Sequence, residues 1–348
     1  MNRLIGRVIR GVRAAYRALQ RVPLLGPVAR VLRRHWLAAI SVLCLVGLVI
    51  GVDPVKLGGV LRHIDWRIAL LMVPVTIGCY TARGLAWWVA LLRIGARISF
   101  MRCLAVEFAG QVLVFLPLGD LARVKLARHS DPGGPGSGRL AGTIVFQELL
   151  YMTLIGFGVL ARVAAHPDVA VLVVIMTLAH VGIFTILLWQ PAYRWALRMV
   201  ERIHVFRRFD HQLRTLQPTF VELFAPRTFI PVFLLQALSV LGTYTLFFLA
   251  LQAIGEHHVT FTAAVFVLGL SYILAGLSFV PGGLGAFEGL LTLLMIASGI
   301  PAAVGAAAGL LYRAYNDGLM AMVGAVAGLF VRRPERGRRR RRRARAAA

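Results

Sequence analysis

Acidic side chains are scarce in this chain: 14 Asp and Glu among 348 residues, against 39 Lys and Arg. Charged residues of either sign make up only 15%, below the roughly one quarter usual for a soluble domain. That shortage argues against a water-bathed surface. Cysteine is also rare, and Cys44, Cys79 and Cys103 sit in or beside apolar runs without metal-ligand or disulfide spacing. They read as small apolar side chains. No G-x-G-x-x-G fingerprint and no ATP-binding motif is present, so no cofactor and no metal is expected.

What is present is apolar and, at its ends, basic. Hydrophobic residues account for 59% of the chain, and the formal charge is +25. Such a charge first suggests nucleic acid. Its distribution points elsewhere: residues 1–36 hold nine Arg and no acid, and 332–348 hold ten Arg and only Glu335 as an acid. The two tails thus carry +18 of the +25. A greasy body with basic tails is a membrane profile, so anionic lipid headgroups, not nucleic acid, are the expected partners of the tails.

Crossing a ~30 Å hydrocarbon core as a helix takes about 20 apolar residues. Segments 68–92, 140–161, 169–189, 228–254 and 302–331 qualify, and 37–52 does so if Trp36 anchors it at the interface. Two stretches are ambiguous. Segment 103–118 ends at Leu116-Pro117-Leu118-Gly119, and 261–299 is interrupted by Phe279-Val280-Pro281-Gly282-Gly283-Leu284-Gly285. Pro and Gly at that density break a helix. The expected fold is therefore all-α, a polytopic bundle of six to eight transmembrane helices with two broken or re-entrant elements. No length remains for a soluble catalytic domain.

Cations orient the bundle. With both tails in the cytoplasm, that side collects 33 of the 39 Lys and Arg, and the opposite side only Lys56, Arg62, Arg67 and Arg162. The expected location is the cell (inner) membrane, with both termini cytoplasmic. Within the tail 1–36, Arg3, Arg7, Arg10, Arg13, Arg17 and Arg21 recur at helical spacing opposite an apolar face, an amphipathic helix lying on the membrane. Residues 37–331 form the transmembrane domain, 190–227 an amphipathic cytoplasmic loop helix, and 332–348 an Arg-rich tail.

Ionisable groups at membrane depth cost roughly 2.5–3.5 kcal/mol each, and so mark candidate sites. Arg83, Glu107, Glu148, Glu288, Arg313 and Asp317 lie there. Arg313 and Asp317 are four apart and share a helix face. Glu148 has no local partner, so it is expected either to be protonated or to find a cation such as Arg83. Glu107 is placed near a cytoplasmic end, within reach of water. Pro281, Gly282, Gly283 and Gly285 open a helix whose first amides lack intrahelical partners, with Glu288 one turn in. Unwound backbone at membrane depth is tolerated where it lines protein or a water-filled cavity, as at transporter substrate sites. A weak echo runs between the halves: Glu148 follows Pro117 by 31 residues, and Arg313 follows Pro281 by 32.

The run Pro281-Gly282-Gly283-Leu284-Gly285-Ala286-Phe287-Glu288, then Gly299-Ile300-Pro301 and Leu310-Leu311-Tyr312-Arg313, resembles the C-terminal signature of the flippase-like transmembrane family related to the membrane half of lysylphosphatidylglycerol synthases. Arg83 with Trp87-Trp88, and Gly110-Gln111 with Gly119-Asp120-Leu121-Ala122-Arg123, resemble its first-half motifs, with two residues fewer between Pro117 and Gly119-Asp120 than is usual there. The resemblance spans roughly 37–331 and implies a lipid-handling protein. Its site would comprise Pro281, Gly282, Gly283, Gly285, Glu288, Arg313, Asp317, Arg83, Glu148, Asp120 and Arg123, and lipid-synthesis enzymes would be partners. The expected function is binding and translocation of a lipid or lipid-linked headgroup between leaflets. An intramembrane enzyme or accessory subunit of lipid modification is the alternative, disfavoured because no nucleophile–base spacing and no aminoacyltransferase domain is visible.

Overall fold

The computed structural model describes residues 50–51, 53–112, 122–163, 167–201, 210–277, 283 and 285–331. The amphipathic tail, most of segment 37–52, the Arg-rich tail, Asp120, Pro281 and Gly282 lie outside the described residues.

Among those residues every regular element is helical. In chain order they are α1 (Pro54–Arg62), α2 (Trp66–Arg93), α3 (Phe100–Gln111), α4 (Ala122–Ser130), α5 (Ser137–Val163), α6 (Pro167–Leu188), α7 (Gln190–Glu201) and α8 (Asp210–Leu223). There follow α9 (Pro226–Ala253), α10 (Phe261–Leu277), α11 (Ala286–Ala297), α12 (Ala302–Arg313), a π-helical segment (Ala314–Leu319) and α13 (Met320–Val331). Helices α2, α5, α6 and α9 are each long and apolar enough to cross a membrane, and α12, the π segment and α13 follow one another without a break from Ala302 to Val331. The chain is a multi-pass, all-α membrane protein.

Local chemistry sets several boundaries. Asp65 caps α2 by accepting from the Arg67 N–H at 2.8 Å. Pro226 opens α9, where a missing N–H costs nothing. Helix α6 is apolar nearly all round and largely unburied, as a lipid-bathed helix should be.

Three tie points show how the chain folds back. The Asp65 N–H donates to the Ala253 carbonyl at 2.7 Å, so the start of α2 and the end of α9 share one face. On the opposite face the Arg97 N–H donates to Asp131 Oδ2 at 2.8 Å, joining the entry to α3 and the exit from α4. The entry to α10 and the exit from α11 line one cavity on the first face. Helices α3/α4 and α10/α11 are therefore two hairpins that return to the face they entered, from opposite sides.

The two halves now correspond: α2, hairpin α3/α4 and α5 against α9, hairpin α10/α11 and α12–α13. Helices α2 and α9 pack on each other, α3 packs on α13, and α5 on α10. Each hairpin thus leans on the closing span of the other half, an inverted repeat of the kind found in transporter folds. Glycines bring the seams close. Gly324 faces the Phe108 carbonyl and Gly328 faces Ala109; across the matching seam Gly269 meets Val159 and the Ile155 carbonyl.

One expectation needs correction. Residues 190–227 are not a single surface helix. Helix α7 is amphipathic with no buried residue, whereas α8 folds down onto α5 and buries Phe220 and Leu223 completely. Phe146, Phe184, Phe220, Phe224 and Phe229 form an aromatic cluster there. Tyr193 ties α7 to α8 by donating to the Leu213 carbonyl at 2.5 Å, and partial burial pushes its phenol up from the ordinary value.

A Cβ at position 324 would run into the Phe108 backbone carbonyl, which has little freedom to yield. Gly324→Ala should therefore cost about 1–3 kcal/mol, read as a lower thermal midpoint in detergent, while Gly182→Ala, with open space beside it, should leave that midpoint unchanged.

Candidate functional site

In the first half four charges meet. Arg83 on α2 donates from Nε to Glu107 Oε1 at 3.0 Å and from Nη2 to Glu148 Oε1 at 2.5 Å. Arg123 on α4 donates from Nη1 to Glu107 Oε2 and from Nη2 to Glu148 Oε1, each at 2.5 Å. Two guanidiniums and two carboxylates thus alternate around a ring of zero formal charge. Each ring member comes from a different helix, so the network joins α2, both arms of the first hairpin and α5.

Neutral groups finish the job. Gln147 accepts from Arg123 Nη1 at 3.2 Å and donates to the Arg83 carbonyl at 2.8 Å. Gln236 on α9 donates to the Gln147 carbonyl at 3.0 Å, which brings the second half into the same network. Arg123 lies over the Trp87 ring and Arg83 over the Tyr151 ring, with cation-to-centroid distances of 5.4 and 5.3 Å. Arg123 and Glu107 are fully buried, but the Glu148 side chain keeps 27% of its exposure. Glu148 is the open member of the ring.

The placement of Glu107 overturns the expectation of a water-reached end. Eight residues into α3, it stands about 10 Å along the helix axis, and because the hairpin dives inward that depth is bundle interior. With 0% exposure it neutralises both arginines.

In the second half Arg313 meets Asp317, four residues on, and Glu288 joins them from α11. Arg313 Nε stands 3.1 Å from Glu288 Oε1, and Nη1 donates to Asp317 Oδ2 at 2.6 Å. Glu288 also closes the start of α11, where its Oε2 accepts the Gly285 N–H at 2.7 Å. Gly283 and Gly285 both take positive φ, 62° and 78°, a conformation glycine adopts without strain. A Cβ on Gly283 would press on Arg313 Nη2. The π segment buries Asn316 and Asp317, and Asn316 donates to Asp317 Oδ1 at 2.7 Å. π-turns often sit at functional sites.

Two hydroxyl pairs join the helices that carry the charge sets, α10 with α12 and α5 with α9. The Tyr272 and Tyr312 hydroxyls are 2.6 Å apart, and those of Tyr151 and Thr243 3.3 Å apart. Tyr80 on α2 packs with Met320.

The charge pairs of the two halves match in position and differ in sign. Arg123 on the first hairpin pairs with Glu148, 25 residues on; Glu288 on the second pairs with Arg313, also 25 residues on. Hairpin cation to span anion in one half becomes hairpin anion to span cation in the other. Glu107, Gln147, Asn316 and the Tyr272–Tyr312 pair complete these sites, and sequence reasoning either discounted or missed them. For Gln147 a signal existed, since it stands beside Glu148 on an apolar helix. Among the described residues no cluster of His, Cys, Asp and Glu could hold a metal ion.

Residues 36–345 match the family model for the lysylphosphatidylglycerol synthase transmembrane region. A UPF0104 membrane protein of Methanothermobacter thermautotrophicus is 23% identical over 288 residues, covering 78% of this chain and 85% of the relative.

Deleting one buried carboxylate should expose the cost of charge imbalance. Glu107→Ala leaves Arg83 and Arg123 facing Glu148 alone, and should cost about 3–5 kcal/mol, seen as loss of monodisperse protein after extraction. Adding Arg123→Gln, which restores neutrality, should recover part of the yield; no recovery would mean that packing, not charge, sets the loss.

Proposed function

Since the chain belongs to the lysylphosphatidylglycerol synthase transmembrane-region family, we propose that it binds a lipid or lipid-linked headgroup at membrane depth and carries it between leaflets. The observation that supports this reading most is the pair of sign-inverted ion pairs, each tying a re-entrant hairpin to a crossing helix. A charged headgroup moving through hydrocarbon needs replacement partners for its lost water. An anionic group can take the place of Glu148 at Arg83 and Arg123, and a cationic group that of Arg313 at Glu288 and Asp317. The hairpins enter from opposite faces, so freeing one opens the interior to one leaflet and freeing the other opens it to the second.

Energy would come from the lipid gradient, a coupled ion or continuing lipid synthesis, because no ATP-binding motif is present. The cation-rich loops would lie in the cytoplasm of a cell whose inner leaflet is anionic, where the basic tails would hold headgroups and lipid-synthesis enzymes would deliver substrate.

Glu288→Gln keeps an oxygen for the Gly285 N–H but removes the charge facing Arg313. In proteoliposomes with headgroup-labelled lipids, it should slow leaflet exchange about tenfold or more, a loss of at least ~1.4 kcal/mol, at unchanged folded yield. Wild-type protein that exchanges anionic, cationic and zwitterionic lipids no faster than empty vesicles would sink the reading.

A further inference from the structure

The cavity shared by α10 and α11, about 240 Å³, opens away from the charge networks, on the cation-poor face where α5 ends, α10 begins and α11 ends. Its walls carry Arg162, Glu256, His258 and Thr260, and its floor is apolar, with Phe266 and Met295. Arg162 and Glu256 are both half-buried. Among the described residues neither side chain makes an ion pair or a hydrogen bond, and although they line one cavity they do not bridge each other. Opposite charges that are free to pair and are held apart leave a gap that a ligand carrying both signs can fill. The start of α10, at Thr260 and Ala263, lines the same cavity and adds the positive end of a helix dipole to it.

We propose that this cavity is a binding site for a zwitterionic lipid headgroup that joins a phosphate to a primary ammonium. The phosphate sits between Arg162 and the start of α10, the ammonium meets Glu256, and the first carbons of the acyl chains lie on Phe266 and Met295. A lipid fits better than a soluble phosphoamine because the floor is apolar and the face belongs to the membrane boundary. The site deepens the translocation reading and rests on it: it is a station at the end of the α10/α11 hairpin remote from Glu288, where a headgroup pauses on entering or leaving one leaflet.

The test titrates the full-length protein in detergent with dioctanoyl phosphatidylethanolamine, dioctanoyl phosphatidylglycerol and free phosphoethanolamine, counting bound molecules by native mass spectrometry. The ethanolamine lipid should bind about tenfold more tightly than the glycerol lipid. Glu256→Gln should erase that preference, and Arg162→Gln should weaken both lipids, with the thermal midpoint unchanged in each case. Equal affinity of the wild-type protein for the two lipids, or a preference that survives Glu256→Gln, would overturn the site. Free phosphoethanolamine binding as tightly as the lipid would overturn the lipid assignment. Micelles have no leaflets, so the two ideas fail separately. Binding without exchange in vesicles would refute translocation alone, and exchange without this binding would refute the cavity alone.

Discussion

A charge in hydrocarbon must find its countercharge inside the fold, and that constraint organises this protein. Arg123 and Glu107 have no access to water, so each depends on an oppositely charged neighbour from another helix. The ring Arg83–Glu107–Arg123–Glu148 does more than satisfy charges. It fixes the depth of the first hairpin, because α3 and α4 each supply one member. Apolar packing alone would let a short helix slide along its neighbours at little cost, whereas displaced ion pairs lose several kcal/mol.

The same constraint acts on the second half with the signs exchanged. Glu288 stands on the hairpin and Arg313 on the span, and the unwound turn at Gly283–Gly285 is held by the carboxylate that holds the arginine. Backbone geometry and electrostatics are thereby coupled: the Gly285 amide and the Arg313 guanidinium share one acceptor group. The glycine seams at Gly324 and Gly269 give the mirrored packing its close approach, so the inverted repeat rests on charge at its centre and on small residues at its flanks.

Much of this was legible in the sequence. Long apolar runs set α2, α5, α6 and α9, because length and hydropathy are local properties. The Arg313–Asp317 pair followed from helical periodicity, and the Pro–Gly run marked the break before α11. What was hidden is long-range. Neither α3 nor α10 reveals by its own composition that it pairs with the next helix as a hairpin; the Arg97–Asp131 hydrogen bond and the cavity shared by α10 and α11 show it. Glu107 was misjudged for the same reason, since depth along a re-entrant helix runs opposite to the assumption that a helix near a cationic loop stays near water. The partners of Glu148 come from 65 and 25 residues away in the chain, a separation that no periodicity encodes.

The π segment between α12 and α13 has a mechanical meaning as well. A π-turn holds one residue more than the α-helical path it interrupts, and one residue of an α-helix corresponds to about 100° of rotation. Upstream of it sits the arginine of the second ion pair, and downstream the Gly324–Gly328 edge that meets α3. The six residues Ala314–Leu319 thus act as a phase-setter between site and seam. Removing a single residue there, or letting the turn relax to α, would rotate the glycine edge away from the first hairpin while leaving Arg313 in place. The geometry of Asp317 and the contact of α13 with α3 are thus set by the same six residues.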